Sequence, residues 1–568
     1  MSAQNLANGG RILVDQLVAE GVDRVFGVPG ESYLAVLDAL YDTPEITYHL
    51  CRQEGGAAMM ADAYGKLTGQ PGICFVTRGP GATSASAGVH VAFQDSTPMI
   101  LFIGQVGRGM TEREAFQEID YRRMFGQMAK WVAEIDDARR IPEMVSRAFH
   151  TATSGRPGPV VLALPEDMLS TPVAPPPLAA PYHASAGYPD PALMDQLWQR
   201  LEQAKRPLII VGGGGWSAEA KADLEAFATE SGLPVAASFR CQDYFDNAHP
   251  NYVGQVGIAI DPKLAARVRE TDLLILLGSR FGEMTSSGYS LMTIPSPDQP
   301  LVHVYPDAEE LGRVYRPDLA INAGAAAFVR AARALNETGP ALDGRAWQDW
   351  TAAAHADYRR HNDPAGIEIP GKLQMGKVMD WLRRTLPPEA IITNGAGNYT
   401  GWVHRFHRFR QFRSQLAPTS GSMGYGLPAA VAAKAVYPGR TVVCFAGDGC
   451  FMMHGQELAT AVQYSLNIIV IVVNNASLGT IRMHQENHYP ARVSATDLVN
   501  PDFAALARAY GAHGEVVEDD ADFADAFTRA QASGKPALLE LRIDPEAITP
   551  SATLSSLRAK AQEKVAAK

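Results

Sequence analysis

Residues 441–480 constrain the fold more than any other stretch of the chain. Residues 441–446 form a β-branched and apolar run that stops at Gly447-Asp448-Gly449, and a second run, 468–473, stops at Asn474-Asn475. Between them lies an amphipathic segment of helical length, 453–464. Two continuous apolar runs separated by one helix read as the parallel strands of a βαβ unit buried on both faces. Both polar endings then fall at the carboxyl ends of strands, where open α/β sheets place their ligands. Asp448 offers a carboxylate and Asn475 an amide oxygen, hard donors of the kind Mg²⁺ takes together with phosphate oxygens. Gly447, Gly449 and Gly479 let the backbone approach such an anion and point N–H groups at it. Either ending alone is an ordinary turn after a strand; the pair is what suggests a site.

The same alternation recurs. Apolar runs ending in Gly or a polar turn, each followed by a helical pattern, occupy 72–80, 207–215, 272–280 and 390–397, and two more lie in the opening stretch. Repeated βα units imply an α/β protein built of doubly wound parallel sheets. Segments 171–191 and 356–371, rich in Pro and Ala, read as linkers. They leave three α/β domains at about 1–170, 190–340 and 370–550, and an Ala/Lys-rich tail, 551–568, read as a terminal helix or a flexible end. A chain of 568 residues, 46% hydrophobic and 20% charged, is of a size and composition for several packed domains. Its net charge of −11 argues against non-specific nucleic-acid or anionic-membrane binding. The basic-aromatic run 404–413 therefore reads as a solvated face or a subunit contact. No apolar run approaches a bilayer span, and residues 1–10 lack a signal-peptide core. Five scattered cysteines with no CxxC pair suit a reducing compartment and argue against structural zinc. The expectation is a cytoplasmic enzyme.

Gly447-Asp448-Gly449 followed by Asn474-Asn475 resembles the thiamine diphosphate motif of the acetolactate synthase and pyruvate decarboxylase superfamily, and further motifs extend the resemblance over about residues 10–550. Glu54, by itself a carboxylate at a helix start, precedes a small-residue helix ending in Ala63-Tyr64-Gly65. The resemblance makes it the activator of thiamine: it bonds the aminopyrimidine N1′ and promotes the imino tautomer that deprotonates the thiazolium C2. That chemistry needs a proton on the carboxyl in an apolar setting. Gly79-Pro80-Gly81-Ala82-Thr83 resembles the family's GPGAT loop and Arg156-Pro157-Gly158-Pro159-Val160 its RPGPV. Ala115-Phe116-Gln117-Glu118 resembles AFQE, which implies that Phe116 and Gln117 line the active site. Gly395-Ala396-Gly397-Asn398-Tyr399 resembles the diphosphate-contacting GxGQH, with Asn398 and Tyr399 replacing Gln and His. Gly421-Ser422-Met423-Gly424 resembles the start of GTMGYGLP, with Met423 as the wedge that bends thiamine. By the same resemblance Asp448, Asn475 and the Ser477 carbonyl hold Mg²⁺, while Gly30, Gly449, Cys450, Leu478 and Gly479 complete the cofactor contacts.

Several positions depart from the acetolactate synthase pattern. In Val28-Pro29-Gly30-Glu31-Ser32 an acid stands where a second glycine is usual, reminiscent of pyruvate decarboxylases; Glu31 is either a second acid/base or a helix-start carboxylate. Arg78 replaces a small residue and is either a fork for a substrate carboxylate or half of a structural salt bridge. The paired histidines of pyruvate decarboxylases have no counterpart at 105–121. Thr480 and His484 stand where Met and Trp shape the acceptor pocket; His484 is an acid/base on the acceptor or a surface histidine. The glycine run 212–215 resembles the central domain that holds FAD in acetolactate synthases and ADP in oxalyl-CoA decarboxylases, but the segments that accompany flavin are missing, so FAD is disfavoured. The implied reaction is thiamine diphosphate-dependent decarboxylation of a 2-oxoacid with carboligation to a second carbonyl. The alternatives are a decarboxylase releasing aldehyde and an aldehyde lyase or carboligase; a non-catalytic homologue is disfavoured because Glu54, Met423 and the metal ligands are all present. The family places Glu54-type and GDG-type residues on different subunits, which implies a homodimer or homotetramer with active sites at the subunit interface.

Overall fold

The apolar runs become strands of three six-stranded sheets, and every pairing between neighbouring strands is parallel. The structure, a computed structural model, describes residues 6–339 and 341–566. The reading of the N-terminus over residues 1–5, the domain boundary at Pro340 and the last two residues of the tail lie outside the described residues.

The first sheet runs, edge to edge, Thr47–Leu50, Arg24–Gly27, Gly72–Val76, Met99–Gln105, Pro159–Pro165 and Trp131–Glu134. The third runs Gln415–Leu416, Ile391–Asn394, Val442–Gly447, Ile469–Asn474, Ala537–Arg542 and His513–Val517. Counted along the chain, both follow the order 2-1-3-4-6-5. The strand order reverses between the first and third strands of each set, so the crevice for a ligand opens beyond their carboxyl ends. In the first sheet that crevice receives residues 28–31 and 77–79; in the third it receives Gly395 and Asp448. The middle sheet has another order, Leu319–Asn322, Leu301–Tyr305, Leu273–Leu277, Pro207–Val211, Val235–Ala237 and Tyr252–Gln255. The central strands of all three sheets are buried, apart from the last residues of the two in the third sheet, Gly447 and Asn474, as strands covered on both faces must be.

Three local expectations change. The two strands of the 441–480 unit are Val442–Gly447 and Ile469–Asn474, each one residue later than the apolar runs suggest. The single helix between them is two, Asp448–His454 and Glu457–Gln463, broken at Gly455, where the missing side chain makes continued helix expensive. The linker expected at 356–371 begins later, because the helix Gln348–His361 continues through its first six residues and buries Asp357 and Tyr358. The tail is a helix, Leu554–Ala566, held by a forked pair from Arg558 to the buried Glu486 (2.6 and 2.8 Å).

The chain divides into two compact units. One comprises residues up to 185 together with 427–438 and 454–466; the other comprises 186–426, 439–453 and 467–568. Two helical stretches of the third sequence domain thus belong with the first sheet. No helix among the described residues is long and apolar enough to cross a membrane.

Candidate active site

In the first unit, Glu54 opens the helix Glu54–Thr68, which ends at Gly69 in the left-handed region (φ 78°). Gln53 precedes it in extended backbone, and its side-chain oxygen accepts the Gly56 N–H at 3.0 Å, an N-cap that fixes where the helix begins. Small residues let this helix press against the helix Pro80–Asp95: a Cβ on Gly88 would overlap Ala58. Glu54 is half-buried, and its Oε1 lies 3.6 Å from where a Cβ on Gly81 would stand, with Val76 and Thr77 beside the same spot. Glycine at 81 therefore leaves room in front of the carboxyl. Gly30 is confined by Thr77, whose hydroxyl would stand 2.6 Å from an added Cβ. Glu31 is exposed, at the head of a single 3₁₀ turn, Glu31–Tyr33.

Arg78 is largely buried and its guanidinium is engaged. Nη1 donates to Glu166 Oε2 at 2.7 Å, and Nε donates to the Phe116 carbonyl at 3.1 Å. It thereby ties the loop around Phe116 and Gln117 to the end of the Gly72–Val76 strand. Gln117 adopts φ 66° and lies against Gly79, where an added Cβ would come within 2.7 Å of Gln117 Cβ. Glu118 closes the loop by accepting the N–H groups of Glu112 (2.6 Å) and Ala115 (3.0 Å). Phe116 is left 73% exposed.

In the second unit, the adjacent strands Ile391–Asn394, Val442–Gly447 and Ile469–Asn474 end side by side. Asp448 is buried; its Oδ1 accepts its neighbour Gly449 N–H at 2.9 Å, and its Oδ2 accepts Asn500 Nδ2 at 2.8 Å and Ser477 N–H at 3.2 Å. Burial pushes the Asp448 carboxyl up from the ordinary aspartate range, while Asn500 and these backbone N–H groups pull it down. Asn500 also donates to Asn474 Oδ1 (3.0 Å), so one amide, which no sequence motif marks, joins the two strand endings. Ala476 in the left-handed region (φ 53°) turns the loop so that Leu478 N–H reaches Thr496 O (2.8 Å) and Leu498 N–H reaches Ala476 O (2.9 Å). The Ser477 hydroxyl is buried there with no partner in the structure. An added Cβ on Gly479 would stand 2.8 Å from Asn475 Nδ2, and one on Gly449 would stand 2.7 Å from Leu478 Cδ2 and 3.7 Å from Met423 Cε.

The loop 421–424 turns through left-handed glycines (Gly421 φ 69°, Gly424 φ 80°), carrying Ser422 and the half-buried Met423. Gly424 N–H donates to Cys450 Sγ (3.2 Å), the Tyr399 hydroxyl lies 3.3 Å from the same sulfur, and Gly395 N–H donates to that hydroxyl (3.1 Å). Tyr399 and Cys450 are thus buried braces between loops. Asn398 accepts the Thr480 hydroxyl on Oδ1 (3.0 Å) and donates to Met483 Sδ (3.4 Å), which anchors the helix Gly479–His488 to the first strand's ending. His484 is exposed on that helix and stacks on His488, ring centroids 6.3 Å apart. In the middle sheet the first half of the glycine run is packed tightly: Trp216 Nε1 donates to Gly212 O (2.9 Å), the Tyr244 hydroxyl to Gly213 O (2.7 Å), and a Cβ on Gly213 would overlap the Gly278 carbonyl, whereas Gly215 is exposed with open space beside it.

Residues 7–124, 194–332 and 395–541 match, in that order, the N-terminal TPP-binding, central and C-terminal TPP-binding domains of thiamine pyrophosphate enzymes. The chain is 33% identical over 524 residues to the acetolactate synthase large subunit of Corynebacterium glutamicum, covering 90% of this chain and 82% of that one. It is 31% identical over 539 residues to the acetolactate synthase isozyme 2 large subunit of Escherichia coli, covering 94% and 96%. The chain belongs to the acetolactate synthase-like branch of the thiamine diphosphate-dependent enzymes. Its cofactor is thiamine diphosphate, and its reaction class is decarboxylation joined to carboligation. The surroundings of Asp448 suit a diphosphate: glycines with no room for a side chain, a buried hydroxyl without a partner, and oxygen donors converging on one set of strand ends.

Proposed function

We propose that this acetolactate synthase-like enzyme decarboxylates a small 2-oxoacid and joins the remaining fragment to a second carbonyl. The observation that carries the site assignment is the meeting of Asp448, the loop 475–479 and Met423 at neighbouring strand ends. Bound thiamine diphosphate supplies a thiazolium carbon that serves as nucleophile and as electron sink for the decarboxylation. With the cofactor bound, Glu54 would hold a proton at the aminopyrimidine nitrogen and so act as its activator. Met423, braced from the core side, imposes the bent cofactor shape. Asp448, the Asn475 amide oxygen and the Ser477 carbonyl hold Mg²⁺ against the diphosphate. Among the described residues no group of three His, Cys, Asp or Glu surrounds that place, so phosphate and water oxygens are needed to complete the shell. Gly30, Asn398, Gly421, Ser422, Gly449, Leu478 and Gly479 shape the cofactor cleft, with Tyr399 and Cys450 supporting it. By the family resemblance Phe116 and Gln117 in the first unit, and Thr480 and His484 in the second, are the candidate substrate contacts, and Arg78 sets the position of Phe116 and Gln117. Glu31, exposed at the first switch point, is the candidate second acid/base. The packing of Gly212 and Gly213 against Gly278, Trp216 and Tyr244 gives those two glycines a structural role that needs neither FAD nor ADP.

Glu54 and Asp448 fall in different compact units, and both units expose apolar side chains: Phe116 in the first, and Met452, Met453, Ile481 and Val499 in the second. The exposed apolar side chains support a homodimer or homotetramer, and the family resemblance adds that Glu54 of one chain completes the Asp448 half of another. Five free, buried thiols accord with a reducing, cytoplasmic setting.

The test is CO₂ release from a panel of 2-oxoacids with thiamine diphosphate and Mg²⁺, with acetolactate-type products and aldehydes followed separately. Release coupled to a ligated product is the expected outcome. Aldehyde as the sole product replaces the proposal with the decarboxylase reading, and silence with every 2-oxoacid overturns it.

A further inference from the structure

The assignment above leaves one buried acid unused, directly behind Glu54. Glu457, from the helix Glu457–Gln463, is 0% exposed. Its Oε1 accepts the backbone N–H of Arg52 and that of Gln53, both at 3.0 Å. Its Oε2 accepts the Thr460 hydroxyl at 2.6 Å and a second limb from Arg52 N–H at 3.3 Å. Two successive N–H groups held by one carboxyl oxygen fix the peptide that joins them. Those two residues immediately precede Glu54.

The grip extends to the cap. Gln53 Oε1, which accepts Gly56 N–H, also lies 3.1 Å from His454 Nε2, so the stretch 454–457 holds both the backbone and the side chain of the capping residue. A Cβ on Gly56 would stand 2.7 Å from Glu457 Oε1, which places the carboxyl against the first turn of the Glu54 helix. All these groups lie within one compact unit. A buried carboxyl is a costly filler where an apolar side chain would pack as well. Burial pushes this one up to about 7, against the opposing bonds from Thr460, Arg52 and Gln53. What an apolar side chain would not do is accept the two N–H groups that hold the Glu54 backbone in register.

We propose that Glu457 is a positioning residue for thiamine activation: by clamping the N–H groups of Arg52 and Gln53, it fixes the backbone from which Glu54 reaches the cofactor. The inference rests on the reading of Glu54 as activator. A displacement of about 1 Å in such a group is enough to cost up to about a hundredfold in rate.

The experiment uses the full-length protein with thiamine diphosphate and Mg²⁺ and compares Glu457→Ala, Glu457→Asp and Glu457→Gln. Two quantities are read: cofactor affinity by calorimetry, and exchange of the bound cofactor's C2 proton with D₂O by quenched-flow NMR. Glu457→Asp keeps a carboxyl but withdraws the acceptors from the two N–H groups; Glu457→Gln keeps one oxygen for both and turns its amide toward Thr460. Exchange is expected to slow at least about tenfold in Glu457→Ala and Glu457→Asp, to stay within about threefold in Glu457→Gln, and cofactor affinity to change little in any of them. If Glu457→Ala does not fold, Glu457→Asp carries the test. Wild-type exchange in Glu457→Asp, or equal loss in Glu457→Gln, overturns the proposal. A Glu54→Gln control separates the two readings: unchanged exchange there defeats the activator assignment itself, whereas lost exchange there with normal exchange in Glu457→Asp defeats only the clamp.

Discussion

The third sheet and the first sheet share one strand order but hold their candidate residues differently. Beyond the third sheet, polar side chains bond across the crevice: Asn500 joins Asp448 to Asn474, and Asn398 joins Thr480. Beyond the first sheet, Glu54 faces a space kept open by Gly81, and its support comes from behind, through Gln53, His454 and Glu457. One end is a preassembled cradle for a charged group, and the other is a single carboxyl aimed by its backbone. The two arrangements should therefore fail differently when disturbed.

The largest effect separates them directly. Glu54→Gln keeps the helix start and the space before Gly81, so thiamine diphosphate affinity is expected to change by less than about tenfold while turnover falls at least about a hundredfold. Asp448→Ala removes the candidate Mg²⁺-binding carboxylate, takes one of the two acceptors from the Asn500 amide and leaves the Ser477 N–H without its acceptor, so the loss is expected in cofactor and Mg²⁺ affinity. Calorimetry with both ligands, beside steady-state turnover, distinguishes the two. Equal loss of affinity in both variants would break the division of labour drawn above.

A smaller effect comes from the support of the first half. Glu457 has a folded-state carboxyl pushed up from 4.5 to about 7 by burial, with Arg52 the charged group facing it; the neighbouring Cys51 thiol is raised first by burial and then by the Glu457 charge. The folded protein then binds the proton more tightly than the unfolded chain. This group's contribution to stability is fully present below about pH 4.5 and is lost as pH rises through about 7, by at most about 3 kcal/mol. Glu457→Gln cannot titrate, so its thermal midpoint relative to wild type is expected to rise between pH 5 and pH 8. Parallel curves for the two proteins across that range would show that Glu457 does not titrate with folding.

The contrast also governs what could be read from the chain. The βαβ unit at 441–480 and the polar endings of its strands were legible because strands buried on both faces are continuous apolar runs that stop at polar turns. Asn500 was not legible: a lone amide in a loop carries no periodicity, and only the turn at Ala476 and the pairing of 476–478 with 496–498 bring it to Asp448. Glu457 was hidden for the opposite reason. It sits on an amphipathic helix as a polar residue does on a solvated face, and its burial follows from residues 454–466 packing with the first sheet, a long-range association absent from local pattern. The helix break at Gly455 is the one local sign that the segment changes role between Asp448 and Glu457. Arg78 was legible as an unusual cation at a strand end, but its partner, Glu166, lies on a separate helix, Glu166–Ser170, far along the chain.

Arg78 gives the smallest expected effect and tests whether the first half is organised by its own contacts or by substrate. Its guanidinium joins Glu166 and the Phe116 carbonyl, with the arginine side chain 11% exposed and the glutamate 36%. With its glutamate side open to solvent, the ion pair contributes about 1 kcal/mol or less, and the bond to the Phe116 carbonyl adds a similar amount. Arg78→Ala is therefore expected to lower the thermal midpoint by a few degrees and, by loosening Phe116 and Gln117, to reduce kcat/KM by about tenfold. If the guanidinium serves the loop, that reduction is the same for a 2-oxoacid donor and for an uncharged aldehyde acceptor, and Glu166→Gln reproduces part of it. If it instead holds the substrate carboxylate, KM rises for the 2-oxoacid alone, the midpoint does not move, and Glu166→Gln tightens binding by freeing the fork. The geometry favours the first outcome, because Nε and Nη1 of this guanidinium already bond the Phe116 carbonyl and Glu166, the two elements that frame the loop.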